Sequence, residues 1–438
     1  MVKRWFRAAR GASAVCIFLC ALTVGVSSIA TVTSYKAMIN TVLGGETAQA
    51  GSAEAYAFTS DYDSTTEMLT ARKAIAEQLS EEGSVLLKNE NGALPLWKDG
   101  DSSEVKKVTV LGSRAYTYDS NGGVRDAVQG SSGGLSFYGG ITGSHVYADT
   151  VMVEEGTIDT PITLETAFAA QNIEINPGMV NFYSGKNFPS PPNGSEASGE
   201  AGVGNEKFAV NEPAVAYGDI PNAAEYSDAC FVVIGRASGE GRDYRPGTRG
   251  ITGTDGAKSA LHLSDSERGL IETAKQVSDN VIVLVNSAVA MELKEVQEDD
   301  GVDGILWIGL PGAYGMNGVA RLVSGEASPS GHLPDIYASD ASASPAAQNF
   351  GTGAPDGTGS FTWSNAGSFT HAYDNHYVVM AEGIYTGYYY YETRYADSVF
   401  GNGGADGATG AGRYSSGGWN YADEVVYPFG YGLSYSTF

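Results

Sequence analysis

The chain has 438 residues, enough for two or three domains of about 100–200 residues each. Its 51 acidic residues against 26 basic ones leave a formal charge of −25, which repels phosphate backbones and argues against a nucleic-acid partner. The 58 glycines, about twice the usual share, exclude a coiled coil; 42% apolar residues are enough for a sizeable core; three cysteines (Cys16, Cys20, Cys230) supply neither a disulfide scaffold nor zinc-type spacing.

At the N-terminus Lys3, Arg4, Arg7 and Arg10 precede an uncharged stretch from Gly11 to Ser34. A hydrocarbon span needs about 20 apolar residues, so residues 1–34 are expected to be a membrane anchor or signal. The four cations should stay cytoplasmic, which places the rest of the chain outside the cell. Ser28 and Ala30 fit the −3 and −1 positions of a cleavage site, but the length of the run favours an uncleaved anchor over a removable signal. Small and polar residues from 35 to 63 read as a spacer from the membrane.

Ser64-Thr-Thr-Glu67 has the form of a capping box, and Met68, Ala71, Ile75 and Leu79 then form an apolar face at helical spacing, ending at Gly83. Val85-Leu-Leu87 predicts a short buried strand followed by a turn at 89–92, and Lys107–Leu111 predicts the next strand. A helix over Thr163–Gln171 leads to a strand at Ile173–Ile175. Cys230–Ile234 is a continuous apolar run, as expected of a strand covered on both faces. Ser264-Asp-Ser-Glu267 is a second capping box, opening a helix to about Val277. Strands at Val281–Val285 and Gly304–Ile308 alternate with helices around Met291–Val296 and Gly312–Val323. The tyrosine run Tyr385–Tyr391 is most simply a packed strand, with sugar stacking by one ring as the alternative reading.

This alternation predicts an α/β domain over 64–426. Its mostly parallel sheet would be sandwiched by helices in a three-layer arrangement, with ligands at the carboxyl ends of the strands. Two inserts, near 184–206 and 340–375, are rich in Gly, Pro, Ser and Asn and read as mobile loops.

Chemistry is expected after the strand ending at Ile234, in Gly235-Arg-Ala-Ser-Gly-Glu240-Gly-Arg-Asp243-Tyr-Arg245. Glu240 lies between two glycines, so its backbone can take unusual angles. Arg236, Arg242, Asp243 and Arg245 surround it in sequence, and such neighbours set a carboxyl pKa. A glutamate so placed can act as general acid and then base; the competing reading is a solvated charged loop. Asp243 is a candidate substrate-binding residue, as is Ser132 in Gly130-Ser-Ser-Gly-Gly134. That glycine-rich segment fits neither a P-loop nor G-x-G-x-x-G, and reads either as a flexible turn or as a cleft lining. The five histidines have no metal-ligand spacing, so no metal site is expected, and no G-x-S-x-G elbow appears, so Ser-His-Asp chemistry is unsupported; no cofactor is expected.

Five segments, in order, resemble the α/β-sandwich domain of glycoside hydrolase family 3. Glu82-Gly-Ser-Val-Leu-Leu-Lys-Asn89 through Ala93-Leu-Pro-Leu96 is similar to its opening segment, and Ser238-Gly-Glu-Gly-x-Asp243 to its acid/base loop. Pro329-Ser-Gly-His-Leu-Pro334 resembles N-P-S-G-K-L-P. Glu382-Gly-Ile-Tyr385 onward to Thr393 resembles a strand motif, and Tyr427-Pro-Phe-Gly-Tyr-Gly-Leu-Ser-Tyr435 the lead into a fibronectin type III domain, so 427–438 is expected to open a linker to one. Three departures stand out. Tyr244 displaces Arg245 by one position, Tyr389 stands where the strand motif has Arg, and His332 replaces Lys or Arg.

The resemblance implies a retaining exo-glycosidase, commonly a β-glucosidase, with Glu240 as acid/base and an oligosaccharide or aryl β-glycoside as substrate. In retaining chemistry a second carboxylate attacks the anomeric carbon from about 5–5.5 Å away. In this family that aspartate belongs to a TIM barrel of about 250 residues. No segment here supplies a barrel, and an anchor stands where the barrel usually lies. The chain therefore resembles a rearranged, membrane-anchored bacterial subgroup, and is expected to be inactive without a barrel in cis or trans. The competing functions are a non-catalytic surface module for sugars or proteins and a flavodoxin-like phosphate binder.

Overall fold

The computed structural model describes residues 13–20, 23, 60–98, 104–112, 115–116, 136–137, 141–142, 162–183, 212–236, 261–287, 289–312, 314–344, 352–353, 361–362, 383–401 and 420–436. The chain divides into two compact units. One comprises 1–68 with 152–157, and the other the remainder. In the first unit, residues 13–20 are helical, with Val15, Ile17, Phe18 and Leu19 exposed. Among the described residues no helix is long and apolar enough to cross a membrane.

The second unit is built on a six-stranded sheet: β1 (Val85–Asn89), β2 (Lys106–Leu111), β3 (Ile173–Ile175), β4 (Ala229–Arg236), β5 (Val281–Ser287) and β6 (Gly304–Trp307). Its order is β1-β6-β5-β4-β2-β3. All neighbours run parallel except β1, which pairs antiparallel with β6 through Val85 and Trp307. Every residue of β4 and β5 is buried, which is why both read as unbroken apolar runs. Cys230 sits within β4, opposite Val281, and the Phe168 and Phe231 rings meet edge to face at 5.3 Å.

The helices are α1 (Thr65–Gly83), α2 (Leu164–Ala170), α3 (Pro177–Tyr183), α4 (Asp265–Val277), α5 (Lys294–Gln297), α6 (Met316–Ser324), α7 (Tyr388–Phe400) and α8 (Tyr421–Glu424). Helix α1 has the predicted extent and start: the Glu67 N–H donates to Ser64 Oγ at 3.1 Å, and Glu67 accepts from the Asp63 N–H. The apolar face of the helix is not turned to the core. Met68, Ile75 and Leu79 are exposed, while Leu69 and Ser80 are buried. The reason lies in α6, whose Gly318 lets the backbones close in: a Cβ there would lie 2.4 Å from the Glu77 carbonyl oxygen. Arg321 of α6 then pairs with Glu81 at 2.8 Å and Glu77 at 3.4 Å, so the polar side of α1 faces its neighbour.

Two further expectations are corrected. The helix expected around Met291 begins only at Lys294, because Met291 and Leu293 are spent on the core ahead of it. The tyrosine run, expected as a strand, is mostly α7. Tyr391 and Arg394 turn inward three residues apart, and positive-φ glycines 387 and 401 bracket the helix. Four consecutive tyrosines carry no period-two alternation, and strand propensity yields to such context.

Strand β8 (Val425–Tyr427) pairs with β7 (Tyr337–Ala338), and the chain then returns to β1. The Leu433 N–H donates to the Leu86 carbonyl at 2.9 Å, the Leu333 N–H to Tyr431, and the Gly430 N–H to Leu333. A Cβ on Gly331 would lie 2.3 Å from the Ser84 carbonyl oxygen. Three of the five segments that carry the resemblance, 82–89, 329–334 and 427–435, thus meet in one packed knot at the open side of β1.

Candidate active site

Parallel strands β2, β4, β5 and β6 deliver Leu111, Arg236, Ser287 and Trp307 to one edge of the sheet. That carboxyl edge is where open α/β sheets bind ligands. Gly235 fits there because a Cβ would lie 1.9 Å from the Asn286 carbonyl oxygen. Asn286 donates to the Gly309 carbonyl at 2.7 Å, and the Trp307 indole N–H donates to the Ser287 carbonyl at 2.9 Å. At β2, the Gly112 N–H donates to the buried Tyr183 hydroxyl, whose ring stacks on Tyr116 at 4.7 Å. Burial pushes the Tyr183 phenol well above its ordinary pKa, so it stays protonated.

The last residue of β4, Arg236, is buried with its charge. A buried guanidinium persists only when its donors are met. Arg236 Nη1 donates to Glu267 Oε1 at 2.7 Å and to the Gly235 carbonyl at 2.7 Å; Nη2 donates to Glu267 Oε2 at 2.9 Å and to the His262 carbonyl. Glu267, fully buried, also closes the α4 capping box. It accepts from the Ser264 N–H at 2.9 Å while its own N–H donates to Ser264 Oγ at 3.1 Å. His262 in turn meets Glu292 through Nε2 and Oε2 at 2.6 Å, and the Ala341 N–H donates to Glu292 Oε1 at 3.0 Å. The Arg236 guanidinium thereby joins the end of β4 to the residues just ahead of α4.

Glu240, Asp243 and Ser132 all lie outside the described residues, as do Arg242 and Arg245. What the structure adds is the frame at either end of the segment bearing Glu240 and Asp243. Arg236, expected among the charges around Glu240, donates its guanidinium to Glu267. Sequence reasoning missed that pair, the His262–Glu292 contact, Asn286 and Trp307. One signal was present, since an arginine closing an eight-residue apolar strand needs a buried carboxylate. Among the described residues, no three of His, Cys, Asp or Glu cluster as metal ligands would.

The profile of the glycosyl hydrolase family 3 C-terminal domain matches residues 84–435. The chain belongs to glycosyl hydrolase family 3. Within this family it is 28% identical over 246 residues to beta-glucosidase A of Butyrivibrio fibrisolvens, covering 52% of this chain and 24% of that protein. With the beta-glucosidase of Ruminococcus albus the identity is 24% over 364 residues, 83% of this chain and 28% of that protein. The chain thus spans about a quarter of the length of these family 3 relatives. The crystal structure of a beta-glucosidase from Paenibacillus barengoltzii superposes with a TM-score of 0.51 at 23% identity, over 83% of this chain and 30% of that one. Beta-glucosidase 3B of Thermotoga neapolitana, in its glycerol complex, gives 0.51 at 23%, over 84% and 39%. At that identity the likeness is one of fold.

Proposed function

We propose that this family 3 domain supplies the general acid/base, Glu240, to a retaining exo-β-glycosidase of the β-glucosidase type. The observation that supports this best is that β4, the strand from which the Glu240 sequence continues, ends with Arg236 at the carboxyl edge of the sheet, inside a domain matched over 84–435. Glu240 protonates the glycosidic oxygen as the bond breaks. An aspartate from a barrel domain attacks the anomeric carbon, and Glu240 then takes a proton from the water that releases the sugar. Asp243 and Ser132 contact the substrate.

The finer organisation belongs to the same proposal. Helices cover both sheet faces in three layers over 64–426, and 427–438 leads toward a further domain. Residues 11–34 anchor the chain, after the spacer at 35–63, with the α/β domain outside the cell. The four cations ahead of an uncharged stretch support the anchor, as do the exposed apolar side chains of the helix at 13–20.

Aryl β-glucosides of graded leaving-group ability, hydrolysed by the domain joined to a family 3 barrel, test the central claim. Glu240→Gln should lose about 10²–10⁴-fold on poor leaving groups and much less on activated ones. Equal activity of Glu240→Gln and wild type overturns it, as does full activity of residues 35–438 alone.

A further inference from the structure

We propose that the stacked rings of Tyr389, Tyr388 and Phe429 form a second binding site on this domain, a platform for a neutral β-glucan chain; the class of ligand rests on the glycosidase reading above. Tyr388 lies 4.3 Å from Tyr389 and 4.1 Å from Phe429, face to face with both. Two rings stacked so closely on a third take its opposite faces, so Tyr388 is the middle of the stack. The outer rings, Tyr389 and Phe429, are 52% and 46% exposed. Tyr385, just ahead of α7, is exposed as well. A β-glucosyl ring carries its substituents equatorially, so its faces present axial C–H bonds. Their positive hydrogens match the negative face of an aromatic ring.

The stack is held from two distant parts of the chain. Helix α7 is entered through Gly387 at φ 54° and anchored by buried Tyr391 and Arg394. Phe429 sits in a turn closed by the Tyr431 N–H on the Pro428 carbonyl at 3.1 Å, and the Gly430 N–H ties that turn to the Leu333 carbonyl at 2.9 Å. Rings fixed before a ligand arrives lose little freedom on binding it. Asp335 supplies a polar edge. Its Oδ1 lies 3.7 Å from where a Cβ on Gly387 would stand, and accepts from the Ile336 N–H at 2.8 Å. The side chain is exposed, and a carboxylate beside ring faces accepts from sugar hydroxyls. Nucleic acids and anionic polysaccharides offer flat faces too, but the net charge of −25 repels them, as Asp335 does locally.

The full chain should be slowed in native gels cast with soluble mixed-linkage β-glucan, and cellohexaose should compete. Tyr389→Ala removes an outer ring, and Phe429→Leu keeps apolar bulk but loses the flat face. Each should weaken the retardation at least about fivefold, whereas Tyr389→Phe, which keeps the ring, should bind as the wild type does. Tyr395→Ala is the control. That tyrosine is 47% exposed on the same helix but leans on Tyr421 at 4.8 Å, and its loss should change nothing. All four are surface changes, so melting temperatures should agree. A wild-type chain that is not slowed overturns the platform, as does an equal loss in Tyr395→Ala or undiminished binding in Tyr389→Ala and Phe429→Leu. A dimer in sedimentation that these two variants dissolve, in a chain that glucan does not slow, assigns the rings to a second copy and overturns it as well.

Glu240→Gln should be slowed as fully as the wild type; a loss there places the glucan in the catalytic cleft and overturns the second site. The leaving-group series judges the acid/base role separately. If Glu240→Gln loses no activity while the gel retardation persists, the acid/base role fails and the platform stands. If retardation is missing while the leaving-group series holds, the platform alone fails.

Discussion

Removing one partner of a buried ion pair leaves a charge with neither water nor counter-ion. Glu267→Ala should therefore destabilise the domain by about 3–5 kcal/mol, against about 1 kcal/mol for Ser264→Ala, which removes only a cap. Urea unfolding of both variants measures the difference; similar costs would mean that Glu267 serves the helix terminus alone. The comparison is instructive because Glu267 is legible in the sequence only as a capping residue, from its spacing to Ser264. The arginine lies 31 residues away, and no local pattern joins them. Gly235 was likewise visible as a glycine beside a candidate loop. Its reason, the Asn286 carbonyl of the neighbouring strand, belongs to the pairing of β4 with β5.

At the scale of the element, strands were easier to read than faces. Buried parallel strands announce themselves as short unbroken apolar runs, and β2, β4, β5 and β6 all lie where such runs occur. Helix α1 was placed correctly by its cap and its terminal glycine, yet its apolar face is not the side that packs. Close approach at Gly318 and the Arg321 pairs outweighed the apolar stripe. The corresponding prediction is a contrast. Ile75→Ser and Leu79→Ser should change stability by no more than about 0.5 kcal/mol, as exposed positions do. Gly318→Val should cost at least about 1–3 kcal/mol through overpacking. Thermal melts of the three variants decide the matter. Helix α7 was missed because four tyrosines in a row satisfy no period, so propensity spoke unopposed.

For the whole molecule, the segments that betray the family are mostly structural. The knot of 82–89, 329–334 and 427–435 holds the antiparallel edge strand in place, and the chemistry proposed for Glu240 lies in a different segment. Removing residues 430–438 strips the Leu433–Leu86 bond and the contacts of Tyr431 and Tyr435. It should lower the melting temperature by several degrees, measured by circular dichroism.

Acid sensitivity has a separate source. Burial opposes the charge of Asp299, but the Lys275 ammonium and the Gly301 N–H bind it and hold its carboxyl below the ordinary value. A carboxyl lowered in the folded state contributes stability above its unfolded pKa, near ~3.9, and loses it as the pH falls through the folded value. Lys275→Met should therefore flatten the fall in melting temperature between about pH 5 and pH 3; an unchanged slope would show that the pair contributes nothing.

The thiol of Cys230 lies at the middle of the sheet with no solvent contact, and burial pushes its ionisation well upward. Only the thiolate reacts with alkylating reagents. With Cys16 and Cys20 replaced by serine, each labelled molecule is one whose β4 has parted from its neighbours. A maleimide mass tag then becomes a clock for rare excursions from the native state, read out without any substrate.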